Sequence, residues 1–175
     1  MNTKSLLLSL VASLTLVSLA QAEDTTVTIS DVHLCCGKCV ADVNKIVAKV
    51  DGATGIADKT AHTIVLTAAS AETVQKAVDA LVKAGFYGKS NNDGIKINSE
   101  TGAKGEKVQT LKIANVHLCC GSCVKAVNKA LSDVPGVTGN TAAKGSDSFT
   151  VTGDFKDSDV FDALQKAGLT AKVAE

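Results

Sequence analysis

The sequence predicts an α+β protein made of two tandem β-α-β-β-α-β units, each a four-stranded antiparallel sheet with two helices on one face. Three observations predict it. Displaced along itself by 84 positions, the chain superimposes Val32-His33-Leu34-Cys35-Cys36-Gly37-x-Cys39-Val40 on Val116-His117-Leu118-Cys119-Cys120-Gly121-x-Cys123-Val124, and Val43-Asn44-Lys45 on Val127-Asn128-Lys129. After a one-residue gap, Asp79-Ala80-Leu81 meets Asp162-Ala163-Leu164. Inside each copy the apolar period changes in the same order, and glycine punctuates the ends of both helical stretches.

Each unit opens with alternating apolar residues, Val27 and Ile29 or Leu111 and Ile113, the period of a half-buried strand. The cysteine loop follows. Val40, Val43, Val47 and Val50, matched by Val124, Val127, Leu131 and Val134, then recur on one helical face, and Gly52 or Pro135-Gly136 ends the run. Two short strands are expected near residues 54–57 and 63–67. A second helix carries Val74, Ala77, Val78 and Leu81, or Val160, Phe161 and Leu164, and stops at Gly85 or Gly168. A last strand is expected to begin at Phe86 or Leu169, with Ile95 and Ile97 either extending it or belonging to a linker. This order is the split pattern of the ferredoxin-like fold. A unit of this size buries only about 60% of its unfolded surface, so a bound ligand or a docked second copy could add stability.

The expected organisation is a signal peptide at 1–22, one unit at 23–90, a linker rich in Gly, Asn, Lys and Ser at 91–107, and a second unit at 108–175. Lys4 followed by an apolar run from Leu6 to Leu19 and by Ala20-Gln21-Ala22 has the pattern of a secretory signal cleaved before Glu23. The apolar run is too short for a spanning helix, so the expectation is a periplasmic or secreted protein with no membrane insertion after cleavage. Residues 23–175 carry 17 Lys against 18 Asp and Glu, and the chain has no arginine and little aromatic content. Phosphate-binding guanidinium groups and base-stacking platforms are both missing, which argues against a nucleic-acid partner.

All six cysteines lie in the two loops, with two of the three histidines, His33 and His117, beside them. Cysteines used as small hydrophobes would not be confined to the same short stretch of each repeat. Cys36 and Cys39, like Cys120 and Cys123, have the two-residue spacing that lets two thiolates converge on one ion from a turn entering a helix, whose positive N-terminus favours the thiolate.

A strand, a loop ending Cys-x-x-Cys-Val, a helix and a β-α-β-β-α-β unit closing with Ala-Gly-hydrophobic together resemble the heavy-metal-associated domain, the family of copper chaperones, copper-ATPase N-terminal modules and the periplasmic mercury-binding protein. The resemblance spans both units and includes Val134-Pro135-Gly136-Val137. It implies metal ligation by Cys36, Cys39, Cys120 and Cys123. The family's Gly-Met-x before the first ligand is replaced by His33-Leu34-Cys35 and His117-Leu118-Cys119, with Leu34 and Leu118 taking the methionine's buried place.

Each loop thus offers three thiols. Cys35 and Cys119 stand as ligands or bystanders, and His33 and His117 as ligands or as backbone hydrogen-bonders; His62 has no counterpart and is expected at the surface. Two thiolates suit linear Cu(I), Ag(I) or Hg(II), and three suit trigonal Cu(I) or, with a histidine, tetrahedral Zn(II). The expectation is a soft metal ion, Cu(I) or Zn(II) first, one per domain, in a protein that is not an enzyme and that buffers, sequesters or relays metal, with a metal-transporting or metal-accepting protein as the partner to look for. Two alternatives stay open: a thiol-disulfide redox protein using the Cys-x-x-Cys pairs, and a structural interaction module. The first fits poorly with an element order that is not that of thioredoxin and with a single proline, Pro135.

Overall fold

The computed structural model describes residues 23–174; the expected signal segment at 1–22 lies outside the described residues. The first unit runs β1 (Thr25–Ser30), α1 (Gly37–Val47), β2 (Ala53–Asp58), β3 (Thr63–Ala68), α2 (Ala71–Lys83) and β4 (Lys89–Ser90). The second repeats that order as β5 (Lys107–Ala114), α3 (Gly121–Ser132), β6 (Val137–Asn140), β7 (Ser148–Lys156), α4 (Asp157–Lys166) and β8 (Lys172–Val173). Each forms a four-stranded antiparallel sheet, in the orders β2-β3-β1-β4 and β6-β7-β5-β8. The fold is the one expected.

The periodic positions are the buried ones. Val27 and Ile29 of β1, Ile64 and Leu66 of β3, Val43 and Val47 of α1, and Val74, Ala77, Val78 and Leu81 of α2 close the first core. Leu111, Ile113, Val151, Val127, Leu131, Val160, Phe161 and Leu164 close the second. Leu34 and Leu118, at 0% and 2% exposure, fill the buried place assigned to them and anchor both cysteine loops from beneath.

Two segments differ from expectation. The last strand of each unit does not start at Phe86 or Leu169; it is only two residues long and begins at Lys89 or Lys172. Phe86 and Leu169 instead pair with each other across the two units, flanked by reciprocal hydrogen bonds from Tyr87 N–H to the Gly168 carbonyl and from Thr170 N–H to the Gly85 carbonyl. This antiparallel bridge relates the repeats by an approximate twofold axis. Residues 91–107, read as a linker, are tied to both units: Gln75 exchanges two hydrogen bonds with the Lys96 backbone, Ile95 is buried, Ser99 bonds Thr170, and Asp157 accepts from the N–H groups of Lys104 and Glu106. Packing of Ile95 and Ile97 against the core, not strand pairing, accounts for their apolar character.

Candidate metal centre

Both cysteine loops lie at the ends of their first strands that face the bridge, so the twofold brings them together. Cys36 and Cys120 are the N-cap residues of α1 and α3, in extended conformation. Cys39 and Cys123 follow in the first helical turn and are fully buried. Cys35 and Cys119 precede the caps and are partly buried, as are Cys36 and Cys120; none of the six is in a disulfide.

The sulfur contacts form four pairs related by the twofold. Within the loops, Cys35 to Cys39 is 3.6 Å and Cys119 to Cys123 is 3.7 Å, while Cys36 to Cys39 is 3.7 Å and Cys120 to Cys123 is 3.8 Å. Between the loops, Cys35 lies 3.3 Å from Cys120 and 3.5 Å from Cys123, and Cys119 lies 3.8 Å from Cys36 and 3.4 Å from Cys39. Cys35 and Cys119, which the sequence left between ligand and bystander, make every one of these cross-loop contacts. The two loops, for which one ion per domain was expected and docking left open, form one six-thiol cluster.

Three ligand groupings arise from this cluster: Cys39, His117, Cys119 and Cys123; His33, Cys35 and Cys123; and Cys35, Cys36 and Cys120, with the donor atoms of each within 4.8 Å of one another. Each histidine therefore reaches a cysteine of the opposite loop. Of the two roles weighed for them, backbone bonding finds no support at Nε2, which in both His33 and His117 is buried without a hydrogen-bond partner. His117 is held instead by its ring against Phe86, 4.4 Å between centroids, with Asp42 3.9 Å from Nε2. His62 is exposed, its backbone carbonyl accepting from Val32 N–H.

Protonation is uneven. Cys39 is drawn down to about 2, chiefly by the Cys123 thiol, against burial and with help from His117 and Cys119. Cys123 is pushed up, first by the same bond to Cys39 and then by burial. The two opposite shifts share one first cause, the hydrogen bond between the Cys39 and Cys123 sulfurs. Burial leads in pushing Cys35 and Cys119 up. For Cys120 burial opposes ionisation, but the Cys123 N–H, the Cys35 thiol and the Ser122 N–H outweigh it and draw the group down to about 6. Burial lowers His33, which keeps the ring neutral and its lone pair free. Metal binding requires deprotonated sulfur and neutral imidazole; Cys39, Cys120 and His33 are shifted that way, whereas Cys35, Cys119 and Cys123 must give up their protons to the incoming ion.

Fold and site together define a protein of two ferredoxin-like units with a thiol-rich centre whose side chains could hold a metal ion. No family model matches the chain, and no curated protein matches it in sequence. Its neighbours among solved structures include a copper-binding domain from the P-type ATPase HMA7, 24% identical over 39% of this chain and 96% of that one, TM-score 0.36. The N-terminal soluble domains of Bacillus subtilis CopA are 16% identical over 87% of this chain and 95% of theirs, TM-score 0.34. The apo heavy-metal-associated domain of the copper chaperone for superoxide dismutase is 26% identical over 50% of this chain and 86% of its own, TM-score 0.35. These three are of the family the sequence resembles. At these scores they accompany the fold, and the case for metal rests on the chain's own thiols.

Proposed function

We propose that this protein binds thiophilic metal ions, Cu(I) foremost and Zn(II) second, at a thiolate centre contributed by both repeats, and that it buffers, sequesters or relays them without catalysing a reaction. The observation that carries the reading is the convergence of all six cysteines, with contacts of 3.3–3.8 Å and no disulfide. Soft sulfur donors in a partly buried setting select soft ions. Cys35, Cys36, Cys119 and Cys120 are less buried than Cys39 and Cys123, and the thiolates of an accepting protein could displace them one at a time. On its N-terminal sequence pattern we read the protein as exported, periplasmic or secreted.

Anaerobically reduced protein, offered Cu(I) or Zn(II) and desalted, should retain metal in native mass spectrometry, and retention of neither ion would sink the reading. A second reading, thiol-disulfide exchange, draws on the low value of Cys120 beside Cys123. It requires turnover of a disulfide substrate that disappears in Cys120→Ser.

A further inference from the structure

We propose that the centre holds two ions in ligand-swapped trigonal sites, each built from the Cys-x-x-Cys pair of one repeat and the preceding cysteine of the other. The inference rests on the metal-binding reading above and deepens it. Two sets of three sulfurs related by the twofold have all three edges closed by short contacts and together use every cysteine once. One is Cys35, Cys120 and Cys123, with edges of 3.3, 3.5 and 3.8 Å. The other is Cys36, Cys39 and Cys119, with edges of 3.8, 3.4 and 3.7 Å. The sets closed through the Cys39–Cys123 hydrogen bond take both of those sulfurs and leave no second closed triangle.

The sets that a one-ion-per-loop scheme would use are less complete. In the first loop Cys39 is close to both Cys35 and Cys36, but no contact joins the neighbouring residues Cys35 and Cys36 themselves. Successive residues point their side chains apart, so a third ligand comes more readily from across the interface than from the next residue. A metal–thiolate distance near 2.3 Å corresponds to a trigonal sulfur edge of about 4.0 Å. The edges of both swapped triangles need to open by about 0.2–0.7 Å when metal replaces the thiol protons. Binding in this mode ties each repeat to the other through both ions.

Silver(I) is a diamagnetic stand-in for Cu(I) suited to proton–silver correlation spectra of the intact protein. Two ions should bind, one correlating with the β protons of Cys35, Cys120 and Cys123 and the other with those of Cys36, Cys39 and Cys119. A crossover of variants gives an independent readout. In a Cys120→Ser/Cys123→Ser background one ion should remain; adding Cys35→Ser should leave its affinity within about 3-fold, and adding Cys119→Ser should weaken it by more than about 10-fold. Far-ultraviolet circular dichroism of each variant checks that it folds, and the spectra of the unsubstituted protein stand if one does not. Correlations confined to the cysteines of one loop, a single bound ion, or the reverse order of the two added substitutions would overturn the swapped arrangement while leaving metal binding intact. Failure to bind silver or Cu(I) at all would instead remove the underlying function.

Discussion

The Cys35 sulfur lies 3.3 Å from that of Cys120 in the other repeat, closer than the 3.6 Å to Cys39 in its own helix turn. The residue by which each loop departs from a two-cysteine motif is therefore the one that crosses the interface. Docking of the repeats and assembly of the centre are a single structural event.

Cross-linking follows from this contact. Cys120 is drawn down to about 6 and is only partly buried, so in the metal-free protein it should be the first thiol alkylated near neutral pH. Its labelling rate should fall as the pH drops through about 6 and the thiolate gains a proton. A short bifunctional thiol reagent that reacts there should close onto Cys35, giving a mass-spectrometric peptide pair from both repeats. Pairs only within a loop would contradict the docked arrangement.

Gly85 and Gly168 set the interface. Both have positive φ, at 91° and 75°, and a Cβ would stand 2.6 Å from His117 N on Gly85 and 2.5 Å from His33 N on Gly168. Gly168→Ala combines left-handed strain with a backbone clash, and should destabilise the protein by about 1–3 kcal/mol in chemical denaturation. Metal retention should fall with it, because His33 and its loop must move. An unchanged midpoint would show that the repeats do not meet there.

Leu34 packs under the first cysteine loop with no exposure. Leu34→Ala should cost about 2–5 kcal/mol through cavity formation, and Leu34→Met less than about 1.5 kcal/mol. Equilibrium urea unfolding of the metal-free protein separates the two.

Asp157 fixes the segment between the repeats to α4. Burial works to raise its pKa, but backbone N–H groups of Lys104, Ser158, Gly105 and Glu106 prevail and hold it below the usual carboxylate range. A carboxyl lowered in the folded state stabilises the protein above its unfolded pKa of about 3.9, and that contribution fades as the pH falls below about 4 towards the folded value. Asp157→Asn should lose about 1–3 kcal/mol at neutral pH and show a flatter stability profile below pH 4. A parallel profile for the two proteins would place the acid sensitivity elsewhere.

The sequence made the fold legible because each unit writes its own periods: Val43 and Val47 face one core, Val27 and Ile29 close it, and the second copy repeats the pattern. The cysteines were legible as a site through their confinement to two loops. Their union was not, because periodicity describes how a unit buries its own faces and says nothing of which surfaces of two units meet. Phe86 and Leu169 illustrate the gap, since an apolar residue after a helix-ending glycine reads as a strand start and here serves as the inter-repeat bridge. A signal was present in retrospect: both copies place histidine and an added cysteine just where a single unit needs neither for its core. Ile95 and Ile97 likewise marked a segment that packs onto the core where its polar composition suggested a free linker.

The central claim, one centre shared by both repeats, is tested most directly by Cu(I) affinity in the triple variant Cys35→Ser/Cys36→Ser/Cys39→Ser, measured by competition with a chromophoric Cu(I) chelator. A shared centre predicts that no ion stays at the original affinity, every remaining site being weakened by more than about 10-fold. Half the original metal held at unchanged affinity would show two independent loops and contradict the account.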